Sequence, residues 1–150
     1  MLQDLTKIQS FLAHVHPYDS LTEPELATLA GQVERITAAP GDTIYTLGEP
    51  LRGVYVIAAG EIEVIDDSGA QLSHLGSRNS FGERGLARDG LAVTTANAVT
   101  DVELLIVPAE VYRQLITDYP AIAKFFNRSR GSDVRKTDLA TARISELMTK

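Results

Sequence analysis

The spacing of apolar positions changes character along this chain, from helical to strand-like and back to helical. Ile8, Phe11, Leu12 and Val15 recur at helical spacing, which predicts an amphipathic helix over residues 3–15, stopped before Pro17. Thr22 and Glu25 then form a T-x-x-E capping box, with Leu21 and Leu26 at the staple positions, so a second helix is expected from about Glu23 to Gln32. From Val33 to Val107 short apolar or alternating runs take over: Val33–Thr37, Thr43–Thr46, Val54–Ala58, Ile62–Ile65, Gln71–Leu75, Val93–Ala98 and Val102–Val107. Pro40-Gly41-Asp42, Leu47-Gly48-Glu49-Pro50, Gly60, Asp66-Asp67-Ser68-Gly69 and Gly76 separate them as turns. Strands at this spacing, without long helices between them, predict a mainly β protein with flanking helices: an antiparallel roll or sandwich, not a parallel sheet.

One interval breaks that rhythm. Between Gly82 and Leu91 there is no strand pattern, and Glu83–Arg88 reads as a short helix or irregular excursion, where a binding loop is expected. After Pro108 helical spacing returns, with Val111, Leu115 and Ile116 on one face, and Pro120 starts a further helix carrying Ile122, Phe125 and Phe126. Gly131-Ser132-Asp133 reads as a break. The polar stretch Val134–Lys150 has too few apolar residues for a core of its own and reads as a connector or a dimer-forming helix. Residues 1–130 are therefore expected to form one domain and 131–150 a C-terminal helix or linker.

Composition narrows the function. With 150 residues and no cysteine, disulfides and thiolate metal sites are excluded, which fits a reducing cytoplasm. No apolar run approaches a membrane span, and the start lacks the pattern of a signal peptide. Residues 1–122 carry 7 Lys/Arg against 17 Asp/Glu, whereas residues 123–150 carry 7 against 3. An acidic body is a poor surface for nucleic acid, which needs clustered positive charge. The basic tail reads as a solvated face or a contact with something acidic, with DNA as the alternative. His14, His16 and His74 lack partners at ligand spacing, so no metal or other cofactor is expected. No Gly-x-Ser-x-Gly elbow, Walker loop or cysteine nucleophile is present, so an enzyme is not expected. Tyr55, on a central strand, reads as a core residue.

The chemistry concentrates in Ser80-Phe81-Gly82-Glu83-Arg84-Gly85-Leu86. Gly82 allows a left-handed backbone or a close ligand approach. A helical turn starting near Glu83 turns unpaired N–H groups outward, an arrangement that attracts phosphate, while Glu83 can accept from sugar hydroxyls. An ordinary loop entering a helix would read the same way. Arg78, Arg84 and Arg88 surround the segment with positive charge, or are simply solvated, and Thr94 and Thr95 offer hydroxyls nearby.

Taken with Pro40-Gly41-Asp42, Gly48-Glu49, Val54-Tyr55-Val56-Ile57, Gly60 and Ala98–Leu105, the run Phe81–Leu86 resembles the phosphate-binding cassette of cyclic-nucleotide-binding domains. The resemblance covers residues 8–127. It implies an eight-stranded, jelly-roll-like double-stranded β-helix flanked by helices, with cyclic AMP or cyclic GMP as ligand. The family's arginine after the cassette helix, which pairs with the cyclic phosphate, corresponds here to Ala92, followed by Val93. Ile144–Lys150 resembles the opening of a CBS domain, as in bacterial proteins that join such a roll to CBS domains and a nucleotidyltransferase region.

These features imply a regulatory sensor that binds a cyclic nucleotide or another small anionic ligand and signals through its C-terminal helices, which could also pair two copies. In it Glu83 would hold the ribose hydroxyl, the amides of Arg84 to Leu86 the phosphate, and Arg84 or Arg88 the charge. The alternative is a degenerate roll, its pocket filled by Ala92 and Val93, that serves as an interaction or dimerisation module.

Overall fold

A computed structural model describes residues 4–126. The first helix, α1, is Leu5–Leu12, begun by the Asp4 side chain accepting from the Lys7 amide at 2.9 Å. It ends before the predicted Val15 because the chain tightens: the amides of His14 and Val15 bond to Phe11 and Leu12, three residues back. A cis His16–Pro17 bond and a 3₁₀ turn at Tyr18–Ser20 follow. Helix α2, Glu23–Ala30, carries the complete capping box: Glu25 accepts from the Thr22 amide at 2.8 Å, and the Thr22 hydroxyl accepts from the Glu25 amide at 3.4 Å.

Eight strands then fold into two four-stranded antiparallel sheets, the roll that the hydrophobic pattern predicted. They are β1 Glu34–Ala38, β2 Thr43–Tyr45, β3 Gly53–Ala59, β4 Ile62–Ile65, β5 Gln71–Leu75, β6 Ser80–Phe81, β7 Thr95–Ala98 and β8 Val102–Pro108. One sheet has the order β1-β8-β3-β6 and the other β2-β7-β4-β5. The central strands β3 and β8 are buried along almost their whole length, which explains their largely apolar runs. Strand β7 starts two residues later than the pattern suggested, because Val93 and Thr94 leave the ladder to line a pocket. Strand β6 adds a pairing that the pattern did not reveal, Tyr55 opposite Phe81 and Val56 opposite Ser80.

A charge lies inside this apolar framework. Glu103 on β8 is 2% exposed, and its carboxylate accepts from Arg35 Nε on the neighbouring β1. Removing one side of a buried ion pair is strongly destabilising, so Arg35→Ala should cost about 3 kcal/mol. Urea unfolding of the variant reads this directly. Arg35→Ala combined with Glu103→Leu should recover most of the loss.

Between β6 and β7 lies helix α3, Glu83–Arg88. After β8 come α4, Ala109–Asp118, and a last helical stretch over 120–126. They return over the roll, burying Tyr112, Leu115, Ile122 and Phe126 in the same core as Leu12, Val15, Tyr18 and Leu29 of the N-terminal segment. The Tyr119 hydroxyl donates to Glu25 Oε2 at 3.0 Å, joining the end of α4 to the start of α2. The expected break at Gly131, the connector at 134–150 and the CBS-like run Ile144–Lys150 lie outside the described residues.

Candidate functional site

The pocket that takes in the predicted cassette is assembled by β6 and α3. Pairing with β3 fixes Phe81, which stacks on Tyr55 (ring centres 5.2 Å apart), while Tyr45 from β2 completes an aromatic cluster at 5.3 and 5.9 Å. The chain then turns sharply at Gly82, whose φ of 93° is a left-handed conformation that disfavours side chains. Gly85 permits the next step. A Cβ there would lie 2.4 Å from the Leu91 carbonyl and 2.6 Å from Leu51 Cδ1, so α3 sits with its backbone against the loop that leads to β7.

The result is a cavity of about 190 Å³ whose lining includes Glu83, Arg84 and Gly85 together with Ala92, Val93 and Thr94. Phe81, Gly82, Glu83, Arg84, Gly85, Ala92, Val93 and Thr94 therefore share one wall system, as the sequence grouped them. Ser80, Tyr45, Leu51, Val64 and Leu75 extend it. Burial pushes the Glu83 carboxyl up, while its own amide and the Arg84 guanidinium pull it back down. The Tyr45 phenol is pushed up to about 12, chiefly by burial, with a hydrogen bond from Thr94 opposing the shift. Tyr45 was not singled out from the sequence; a single tyrosine on a short strand gives no signal until its neighbours are known. Tyr18 was missed too. Its hydroxyl is buried without a hydrogen-bond partner among the described residues, and burial, with Glu83 and Tyr112 nearby, holds its proton more firmly than usual.

Several predicted members are placed elsewhere. Arg88 is at the far end of α3, more than a helical turn beyond Glu83, and with Leu86 lines a separate groove against α4. The Leu86 amide bonds to the Gly82 carbonyl at 3.3 Å. Only the amides of Glu83, Arg84 and Gly85 precede the first intrahelical bond of α3. Thr95 stands in β7, where its hydroxyl accepts from the Leu47 amide at 3.0 Å, and does not line the cavity. Arg78 sits in the exposed turn before β6. His14, His16 and His74 bond separately to the Ser10 carbonyl, Asp19 and Glu61. Among the described residues no group of three or more potential metal ligands occurs. None of the described helices is long and apolar enough to cross a membrane.

An antiparallel roll with a small cavity beside a short glycine-bounded helix defines a β-roll domain. The chain belongs to the cyclic nucleotide-binding domain family, whose model matches residues 35–119. It is 33% identical over 106 residues to the human voltage-gated delayed rectifier potassium channel KCNH5, covering 69% of this chain and 11% of the channel. It is 23% identical over 135 residues to the CRP-like cAMP-activated global transcriptional regulator of Mycobacterium tuberculosis, covering 87% of this chain and 60% of the regulator. Among solved structures, the sensor domain of the transcriptional regulator DNR from Pseudomonas aeruginosa superposes with a TM-score of 0.79 at 20% identity, covering 94% of this chain and 97% of that one. The chain thus spans 60% or less of the length of these two curated relatives.

Proposed function

We propose that this chain is a regulatory sensor that acts by binding, not catalysis, and takes cyclic AMP, cyclic GMP or another small anionic ligand into the cavity under α3. The observation that carries this reading is the gathering of Glu83, Arg84, Gly85 and Thr94 on one cavity of the roll. Glu83 would accept from a ligand hydroxyl, and Arg84 would supply the positive charge. Helix α3 shares its other side with α4 and the 120–126 stretch through Leu86, Tyr112, Ile116 and Phe126. A ligand that shifts α3 would therefore change how the C-terminal helices pack, and the favoured population would follow its differential affinity. Residues 1–130 would be the sensing unit and 131–150 the connector to a downstream domain, with Ile144–Lys150 opening a CBS domain. A cytoplasmic location and a homodimer through the C-terminal helices complete the proposal.

Isothermal titration with cyclic AMP and cyclic GMP tests the binding. Glu83→Ala should weaken it by roughly tenfold or more, the worth of a hydrogen bond to a charged group. No heat at millimolar ligand would overturn the reading. A second reading has its own support: Ala92 is 4% exposed and sits on the cavity wall where the family's arginine is expected. On that reading the roll has lost its ligand and serves as an interaction module.

A further inference from the structure

Outside the roll cavity, the C-terminal end of α3 faces α4 and the 120–126 stretch across a groove of about 410 Å³. It shares no residue with the roll cavity. Arg88 from α3 and Arg113 from α4 line it, both exposed, and neither guanidinium has a hydrogen-bond or ion-pair partner among the described residues. The groove's one carboxylate, on Asp89, accepts from the Leu91 amide at 3.1 Å and bridges neither arginine. Tyr112, Ile116, Phe126 and Ala87 supply apolar surface between the two cations. Arg35 and Arg52, by contrast, are each paired with a glutamate.

We infer that this groove is a second binding site, for a small organic anion with a flat apolar body. A guanidinium presents a rigid fork of donors that matches a carboxylate or phosphate, and two facing one groove can share a single anionic group. The volume falls within the range of small-molecule sites, roughly 300–1,000 Å³. Charge selects the occupant. Residues 127–150 carry 6 Lys/Arg against 3 Asp/Glu, a net charge of the groove's own sign. An anion held by both arginines would tie α3 to α4.

The test is an NMR titration of the isotope-labelled 150-residue chain with 2-naphthoate, and with uncharged 2-naphthalenemethanol as control. We expect saturable amide shifts from naphthoate centred on residues 86–90 and 112–116. The affinity should fall about tenfold or more in Arg88→Gln/Arg113→Gln, consistent with the loss of charge-assisted bonds. The alcohol should bind at least as weakly to the parent as naphthoate does to the variant. Absence of shifts at millimolar naphthoate, shifts centred elsewhere, an unaffected variant, or equal binding of the alcohol would each overturn the proposal. Both side chains are exposed, so the variant should keep the parent spectrum; should it not, the comparison of acid with alcohol on the parent decides.

Discussion

Ala92→Arg should raise the affinity for cyclic AMP by roughly ten- to a few hundred-fold, because one charge-assisted hydrogen bond to an anion contributes about 1.5–3 kcal/mol. The backbone at this position is already fixed. The Ala92 amide donates to the Glu49 carbonyl and its carbonyl accepts from the Gly48 amide, both at 2.8 Å, so a longer side chain would project from a held loop position. The cavity it would enter, about 190 Å³, is also lined by Val93, Thr94 and Glu83. Glu83 also sets the main competing outcome: a new guanidinium can pair with its carboxylate instead of with the ligand. Adding Glu83→Gln to Ala92→Arg separates the two, since the neutral amide removes the internal partner but retains a hydrogen-bonding group. Calorimetric titration of parent, single and double variants decides the matter. If neither variant gains affinity, the missing cation is not what limits binding. Ala92→Lys should gain less, because an ammonium cannot present the paired donors of a guanidinium.

The largest loss of stability should come from Gly53→Ala, a change of one methyl group. Gly53 opens β3 opposite Pro108 of β8, and a Cβ there would lie 1.9 Å from the Val107 carbonyl oxygen and 2.9 Å from Pro108 Cα. These are backbone atoms of a central strand, so no side-chain rotation relieves the clash. The two strands must part at the Gly53–Pro108 end of their ladder. Overpacking a core costs about 1–3 kcal/mol even where side chains can give, so at least about 3 kcal/mol is expected here. That is a large share of the roughly 5–15 kcal/mol by which a domain is stable, and corresponds to a fall in Tm of roughly 10 °C. Gly76→Ala is the control, with nothing within 4 Å of its Cβ. Thermal unfolding of the two variants side by side should show a steep loss for the first and almost none for the second. Comparable Tm values would refute the packing argument.

Local chemistry explains what the sequence disclosed. The T-x-x-E box at Thr22 and the glycine turns act within a few residues, so their geometry follows from the residues themselves. The long apolar runs of β3 and β8 were legible because both faces of those strands are buried. Strand β6 escaped notice because two residues cannot display an alternation, and its pairing with Tyr55 is decided some 25 residues away in sequence. At the site, Phe81 to Gly85 were identifiable from glycine placement and the adjoining acid. The separation of Arg88 from Glu83 was not, since it depends on where α3 ends relative to α4. Tyr45 and Tyr18 reach the neighbourhood of Glu83 from other elements, and no spacing rule links them to it.

The bond from Tyr119 to Glu25 bears on where this domain begins and ends. Glu25 already holds the first turn of α2, so the same carboxylate fastens both flanks of the chain at one point. Leu12, Val15 and Ile122, outside residues 35–119, are as dry as the strand residues beneath them. A piece trimmed to residues 35–119 would strip the cover from its own roll. The folding unit is wider than the inherited signature, and it is clasped shut by its two least strand-like ends.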